Sequence, residues 1–476
     1  FSQTLEAIAR YRDANLKNDS TPRWSEQSVA SPFGFTQMTA TPDASADDTT
    51  VFELEPDDYN ADPLLKQRHY CSKPVLLVEC NAKGAQQNAK LAKELVAQAK
   101  LLASPAEESG DKPCRRIAIV VNRVACAQEA YRLLQKEFGD QVDLMIGRMR
   151  PFDRDVLTDK LQKAFRSDPN RAEDQDTSPH FVVATQCLEV GADFDFDGLV
   201  SQCASLDALR QRYGRLNRLG LPGQSHSRGV IVMATGDLKP KDPDPIYGDA
   251  LPNTWGWLSQ CSHHSPSDEG REVAISGKDI TGTMMTTFVD FGITAMDSLI
   301  AQARANSEIP NLAAESPNAP VLMPAHLDIL CQTAPKPAIE PDIATFLHGP
   351  NRGVPEVRVC WRADLPEQSK SLKDEHWAIE ARKTVAVCPP SVAEVMSVPL
   401  ARFRNWLNGA EPADETGDVL GEHSESGTSL DRENRDLPRN RYGIVWTGAD
   451  RPGIFADAKT MGNIRPNDTI VLPATA

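Results

Sequence analysis

Residues 184–220 read ATQCLEVGADFDFDGLVSQCASLDALRQRYGRLNRLG. An apolar run at 181–185 (FVVAT) is followed by Gly191 and Asp193, and a second apolar run begins after them. Parallel α/β sheets bind ligands where their strands end, and glycine permits a close approach of the backbone to a ligand. We therefore expect Gly191 and Asp193 to border a ligand, with the carboxylate able to accept from a ribose hydroxyl.

The end of the same stretch predicts a helix over 205–219, with Ser205 as N-cap and Gly220 as the terminating residue. At 100° per residue, its apolar residues form one stripe that can pack on a sheet. The opposite face carries Gln211, Arg215 and Arg218. Paired guanidinium groups suit phosphate oxygens, which favours an anion site over an ordinary solvated cationic face.

Apolar runs alternate with helical patterns on either side of this stretch. Strands are predicted at 74–79, 117–122, 142–147, 181–185, 198–200 and 229–234, and helices at 86–103, 124–138 and 153–166. Continuous apolar strands between helices are typical of a parallel sheet that is covered on both faces. The fold class is therefore α/β, with one domain of about residues 80–240.

Composition restricts the function further. The chain has 476 residues and a net charge of −16, so any binding of nucleic acid must depend on local basic patches. Its ten cysteines and nine histidines have no metal-ligand or disulfide spacing, and the group Cys261, His263 and His264 is interpreted as a loop. No apolar run is long enough for a membrane span and no signal peptide is recognisable, which predicts a cytoplasmic protein without a membrane partner.

At this point the sequence resembles superfamily 2 helicases. ATQCLEVGADFD and QRYGRLNR are similar to motifs V and VI, TATP (39–42) to motif III, and IAIVVNRV (117–124) to motif IV. With DPDPIYGDALPNTWGWL (242–258) and HLDILCQTAPKPAIEPDIATFLHGP (326–350), the resemblance narrows to the CRISPR-associated helicase-nucleases of type I systems, in the type I-U or I-G branch. This family implies RecA-like domains that translocate 3′ to 5′ on single-stranded DNA with ATP and Mg²⁺, recruited by a guide-RNA surveillance complex.

The resemblance assigns roles to individual residues. Arg215 and Arg218 would be arginine fingers, Gln211 would help to hold the γ-phosphate, and Gly191 and Asp193 would border the nucleotide. Contacts to the DNA backbone would come from Thr185, Gly147, Arg148, Arg150 and Arg154, whereas Thr39, Ala40 and Thr41 would couple hydrolysis to movement. For Thr185, a turn or cap role is an equal alternative. Trp255 and Trp257 could stack on bases, although buried packing is the favoured interpretation.

Some family motifs are missing from this sequence. It contains no GxxxxGK[ST], no DEAH and no His-Asp pair. We therefore expect a fragment whose N-terminal motor half, Mg²⁺ ligands and HD nuclease domain lie outside the chain, and which is inactive alone. The expected regions are 1–79 (remnant of the first RecA-like domain), 80–240 (second RecA-like domain), 241–320 (helical and loop-rich connector), 321–407 (accessory α/β region), 408–441 (acidic linker) and 442–476 (β-rich tail).

Two other functions are consistent with the same motifs. One is a general superfamily 2 helicase of DNA repair or restriction, because motif VI alone does not distinguish such a helicase from a CRISPR-associated one. The other is a non-catalytic nucleic-acid-binding module, which the missing P-loop favours for the polypeptide as it stands.

Overall fold

The computed structural model describes residues 54–104, 113–168, 178–189, 193–221, 227–238, 243–262, 288–306, 311–314, 355–365, 374–409, 441–446 and most of 454–474. Contacts divide the chain into two units, 1–50 with 315–353 and 51–314 with 354–476. Of the first unit only a few residues around His326 are described.

Two sheets and ten helices are formed in the described part of the second unit. The strands are β1 Pro74–Cys80, β2 Arg116–Val120, β3 Val142–Met145, β4 His180–Ala184, β5 Gly198–Gln202, β6 Arg228–Ala234, β7 Phe288–Asp290, β8 Glu356–Arg362, β9 Met396–Pro399, β10 Gly443–Trp446, β11 Ile454–Ala456 and β12 Thr469–Pro473. The helices are α1 Pro56–Ala61, α2 Pro63–Tyr70, α3 Gln87–Ala103, α4 Val124–Phe138, α5 Pro151–Phe165, α6 Leu206–Tyr213, α7 Ala250–Cys261, α8 Ile293–Ala305, α9 Asp374–Val387 and α10 Leu400–Leu407.

The first sheet has seven strands in the order β3-β4-β2-β5-β6-β1-β7. All its pairs are parallel except β1 with β7, which is antiparallel at the edge. The predicted strands IAIVVN and FVVAT are neighbours, with Ile117 beside Phe181. This sheet confirms the predicted α/β class and the RecA-like parallel arrangement.

The strands read as continuous apolar runs because both faces of the sheet are buried. In β2, Ile117 and Ile119 belong to a core shared with α3 and α4, whereas Ala118 and Val120 belong to a core shared with α5 and α6. Successive side chains of a strand point to opposite faces of the sheet. A strand with one face in water would alternate apolar and polar residues, whereas these strands are apolar at consecutive positions. Both cores are therefore filled by the same strands.

The limits of this sheet differ from the predicted domain of 80–240. Strand β1 begins at Pro74, within the region assigned to the first RecA-like domain, and β7 lies at 288–290 in the predicted connector. Helix α7 also packs into the core, through Leu251 and Leu258. The RecA-like unit thus extends on both sides of the predicted range.

The second sheet joins two regions that the sequence reading kept apart. Its order is β11-β10-β12-β8-β9, and β12 pairs in parallel with β8. The segment TVAVC (384–388) has the β-branched composition of a strand but lies mostly in helix α9. Trp377, Ala381 and Val385 of α9 are buried at helical spacing, and this packing outweighs the strand preference of the valines.

Candidate nucleotide site and nucleic-acid surface

Polar residues gather at the carboxyl edge of the first sheet. Asn122 follows β2, Gly147 follows β3, Thr185 follows β4 and Gln202 ends β5. These strands are mutually parallel, so their carboxyl ends lie on one edge. This is the edge at which open α/β sheets bind ligands.

The basic segment is a short helix followed by a loop, which corrects the prediction of one helix over 205–219. Helix α6 ends at Tyr213, and Gly214 closes it by donating its N–H to the carbonyl of Arg210 at 2.8 Å. Asn217 then has a φ of +38°, a conformation that a helix does not contain. Arg215 and Arg218 therefore lie on a loop, residues 214–220, which we name the arginine loop.

The arginine loop is fixed to the segment that precedes β5. Phe196 and Leu216 form a parallel bridge, in which Phe196 N donates to Arg215 O and Asn217 N donates to Phe196 O, both at 2.9 Å. The loop ends at Gly220, whose φ is +67° and where a Cβ would lie 2.6 Å from the Gln67 carbonyl. Two segments predicted to share a ligand are thus held together by backbone hydrogen bonds.

The two candidate fingers have different surroundings. Arg215 is half-buried and donates from Nη2 to the carbonyl of Glu189 at 2.9 Å; burial, followed by the nearby charge of Arg218, lowers its pKa. Arg218 is more open, with its Nε 3.2 Å from Asp193 Oδ1, and its backbone N–H donates to Asp195 Oδ1 at 2.7 Å. The backbone of Arg218 is therefore fixed while its guanidinium can change partners. Gln211 is half-buried on α6.

The most buried cation of the segment is Arg212, which the sequence did not place in the site. Its guanidinium is fully buried and donates to five groups within 3.0 Å. They are Glu189 Oε1, Ser201 Oγ, Gln202 O, Asn122 Oδ1 and the Tyr247 hydroxyl. Because these five partners occupy its N–H donors, Arg212 has a structural role at the carboxyl edge of the first sheet.

Two predicted contacts need separate comment. Thr185 is fully buried, with Oγ1 3.6 Å from Cys187 Sγ and its N–H donating to Met145 O. This burial favours the turn role, which was the alternative for Thr185, and its contact with a DNA phosphate stays a prediction. Gly191 and the coupling residues Thr39, Ala40 and Thr41 lie outside the described residues.

The segment 147–154 brings three arginines to the start of α5. Arg150 forms a bidentate pair with Asp153, at 2.6 and 2.8 Å, and Arg154 donates to the Gly147 carbonyl. Arg148 lies 3.5 Å from Glu356 of β8, and its Nη1 is buried without a hydrogen-bond partner in the described part of the chain. Burial and then the charge of Arg148 lower the pKa of Arg402 on α10. The positive charges of Arg148 and Arg402 are therefore close enough to affect each other.

Other candidates have ordinary structural roles. Trp255 and Trp257 are buried in α7, and Trp255 Nε1 lies 3.4 Å from Glu79 Oε1, which confirms the packing interpretation. Among the described residues, no three His, Cys, Asp or Glu side chains are grouped as metal ligands, and no helix is long and apolar enough to cross a bilayer. His263 and His264 lie outside the described residues.

Two members of the network around Arg212 have a signal in the sequence, namely a polar residue at the end of an apolar strand. Asn122 and Gln202 are polar residues at the ends of apolar strands, as Thr185 is. Tyr247 lies in the segment 242–258, whose sequence supports a family resemblance but does not indicate a contact with Arg212. Its position beside Arg212 depends on a loop path that no local pattern specifies.

The parallel sheet, with an arginine loop held against its carboxyl edge, has a RecA-like arrangement. Residues 114–220 match the family model described as "CRISPR-associated nuclease/helicase Cas3, C-terminal", so this segment is similar to the C-terminal region of Cas3 proteins. The match covers β2 to the end of the arginine loop, which includes both halves of the candidate nucleotide site.

Comparison with known proteins gives the same family. The chain is 36% identical over 145 residues to the CRISPR-associated nuclease/helicase Cas3 of Streptococcus thermophilus, covering 28% of this chain and 15% of that protein. It is 33% identical over 104 residues to the CRISPR-associated endonuclease/helicase Cas3 of Escherichia coli K12, covering 22% of this chain and 11% of that protein. The matched regions are thus a small part of these relatives.

Among solved structures, "Crystal structure of T. fusca Cas3-AMPPNP" aligns with a TM-score of 0.39 and 17% sequence identity. That alignment covers 84% of this chain and 40% of the solved one.

Proposed function

We propose that this chain supplies the second RecA-like domain of an ATP-dependent helicase that moves 3′ to 5′ along single-stranded DNA in CRISPR interference. The observation that carries the proposal is the arginine loop, which is fixed by the Phe196–Leu216 bridge beside Asp193. Phosphoryl transfer depends on cations that are positioned before the reaction, because charge develops on the transferring group.

In this proposal the fingers are Arg215 and Arg218, and Gln211 assists at the γ-phosphate. The pair of Arg218 with Asp193 is solvent-accessible on both sides, with side-chain exposures of 30% and 57%. Such an exposed pair contributes at most about 1 kcal/mol, so a triphosphate can replace the carboxylate as the partner of Arg218. Asp193, together with Gly191, then borders the nucleotide.

ATP and Mg²⁺ would bind between this domain and a P-loop-bearing motor domain. When bound, Mg²⁺ neutralises charge on the phosphates, and its ligands are expected on that other domain. This chain's own contribution is to present two guanidinium groups to the γ-phosphate, one bonded to the Glu189 carbonyl and one paired with the exposed Asp193.

The surface around Arg148 is the proposed path of the DNA backbone. Arg148 and Arg402 are neighbouring cations, and Glu356 lies 3.5 Å from Arg148, so we expect a locally positive potential although the chain is acidic. Arg150 is already neutralised by Asp153, and Arg154 is exposed beside Gly147. Phosphate contacts of this kind bind every sequence alike, as translocation requires.

The remaining parts of the proposal come from the family resemblance. The complete enzyme would contain the first motor half and an HD nuclease, receive its DNA from a guide-RNA surveillance complex and work in the cytoplasm. In this proposal, residues 80–240 form the central part of its second RecA-like domain, whose sheet also includes β1 and β7.

The direct test measures phosphate release and translocation by the complete enzyme. We expect hydrolysis that is stimulated by single-stranded DNA of any sequence, and unwinding of substrates with a 3′ tail but not a 5′ tail. The 476-residue chain alone is expected to bind DNA without hydrolysing ATP. Hydrolysis that ignores DNA, or a preference for 5′ tails, would contradict the proposal.

A further inference from the structure

The segment 243–249 forms a tight turn around one aspartate. Asp244 Oδ1 accepts from the N–H groups of Ile246 and Tyr247, each at 2.9 Å, and its carbonyl accepts from Gly248 at 2.7 Å. The second carboxylate oxygen accepts from Arg123 Nη2 at 2.8 Å, in an ion pair that is mostly buried. The turn is therefore rigid and is fixed to the residue that precedes α4.

The turn directs Tyr247 into the protein. Its side chain is buried, and its hydroxyl accepts from Arg212 Nη2 at 2.9 Å. The same nitrogen donates to Asn122 Oδ1 at 3.0 Å, so Arg212 is held from two sides. A planar guanidinium group with partners at both ends has little freedom to rotate.

Glu189 connects this buried group to the arginine loop. Its carboxylate accepts from Arg212 Nε at 2.9 Å, and its backbone carbonyl accepts from Arg215 Nη2 at the same distance. One residue thus joins the fixed arginine to a candidate finger. A displacement of Arg212 would be transmitted to Arg215 through Glu189.

We propose that Tyr247 is a positioning residue for Arg215 and acts through Arg212 and Glu189. The inference rests on the proposed ATPase function and extends its site to the turn 243–249. Arg215 is half-buried, so its side chain has few alternative orientations and depends on the position of the Glu189 carbonyl. Small displacements of a group that acts in the transition state can lower turnover by as much as about 100-fold.

The test is a double-mutant cycle in the complete enzyme. Tyr247→Phe removes only the hydroxyl and should lower kcat about tenfold with KM for ATP within about twofold, because the lost positioning affects the transition state. In an Arg215→Ala background, Tyr247→Phe should have no further effect on kcat, since its target is gone. A purely structural tyrosine would reduce activity equally in both backgrounds.

The matched control is Tyr131→Phe on α4, a half-buried tyrosine without a hydrogen-bond partner among the described residues. It should leave kcat unchanged in both backgrounds. If Tyr247→Phe lowers the urea midpoint of unfolding, the cycle is repeated with Glu189→Gln, which keeps the carbonyl acceptor of Arg215. Additive losses with either variant overturn the positioning role.

The outcomes also separate this inference from the proposed function. If Arg215→Ala alone retains wild-type kcat, the finger assignment of Arg215 is wrong and the positioning role falls with it. If Arg215→Ala lowers kcat strongly while Tyr247→Phe has no effect on the wild-type kcat, only the role of Tyr247 is wrong.

Discussion

The ammonium group of Lys73 donates a hydrogen bond to the backbone carbonyl of Tyr213, with Nζ and oxygen 3.2 Å apart. Tyr213 is the last residue of α6, so the charge of Lys73 faces the helix end from which the arginine loop departs. Burial lowers the pKa of Lys73 from 10.5 to about 8. Burial therefore makes the charged form of Lys73 less favourable in the folded protein than in the unfolded chain.

This cost predicts a specific pH dependence of stability. The pKa of Lys73 is lower in the folded protein than in the unfolded chain, so the charged form destabilises the fold. This destabilisation is fully present below pH 8 and disappears as the pH rises toward 10.5. The contribution of Lys73 to the free energy of unfolding should rise by about 3 kcal/mol across that window. Urea unfolding of the wild type and Lys73→Met at several pH values measures the difference. A constant difference between pH 7.5 and 10 would contradict the prediction.

Replacement of Arg218 should separate hydrolysis from DNA binding. In the complete enzyme, we expect Arg218→Ala to lower ATP turnover by roughly 10³–10⁵-fold, as for other arginine fingers, with DNA affinity unchanged. Arg132→Ala, an exposed arginine on α4, is the control and should change neither. Loss of DNA affinity in Arg218→Ala would show instead that the arginine loop faces nucleic acid.

The opposite result is expected for Arg148. Filter binding of single-stranded DNA to the 476-residue chain should weaken for every sequence after Arg148→Ala, and the salt dependence should become shallower by about one phosphate contact. Arg150→Ala should have a smaller effect, because Asp153 already neutralises that guanidinium group. Equal effects of the two variants would mean that pairing with Asp153 does not reduce the contribution of Arg150 to DNA binding.

Arg212 should be essential for stability. Arg212→Met leaves Glu189 and several buried acceptors without their donor, so we expect a loss of about 3–5 kcal/mol in the free energy of unfolding. Arg132→Met is the matched substitution at an exposed site and should cost less than about 0.5 kcal/mol. A loss below about 1 kcal/mol for Arg212→Met would mean that water replaces the buried network.

Gly229 of β6 is expected to tolerate no side chain. A Cβ there would lie 2.5 Å from Tyr213 Cε1 and 2.9 Å from Val75 Cγ2, so Gly229→Ala should destabilise the fold by about 1–3 kcal/mol. Gly256 on α7 has open space at the same position and is the control, for which Gly256→Ala should be neutral or stabilising by up to about 1 kcal/mol. Equal unfolding midpoints for the two variants would contradict this.

The sequence was sufficient for the sheet because its signal is repeated in every strand. Runs such as 117–122 and 181–185 are apolar at consecutive positions, and only burial on two faces accounts for that pattern. Helical periodicity alone did not locate the end of α6. Leu216 is buried at the helical interval from Tyr213, but it reaches the core from a loop that is bridged to Phe196.

The residue types of the candidate site could be predicted from the sequence, but the hydrogen-bond partners of its arginines could not. Arg212 and Arg215 are identical residues three positions apart, and nothing local distinguishes a buried anchor from a half-buried finger. The difference comes from Glu189 and Tyr247, which are separated from them along the chain and meet them only in the folded protein.

The second sheet has a consequence for the order of folding during synthesis. Strand β12, at 469–473, lies between β10 and β8, so the ladder beside β8 stays open until residue 473 has left the ribosome. The first sheet needs no residue after Asp290. At 5–20 residues per second, the interval between the two events is roughly 10–40 s. Strand β8 ends at Arg362, so its edge is unpaired during the synthesis of the 111 residues up to Pro473, roughly 6–22 s at that rate. Such an edge is the part of a β structure most prone to join with another chain.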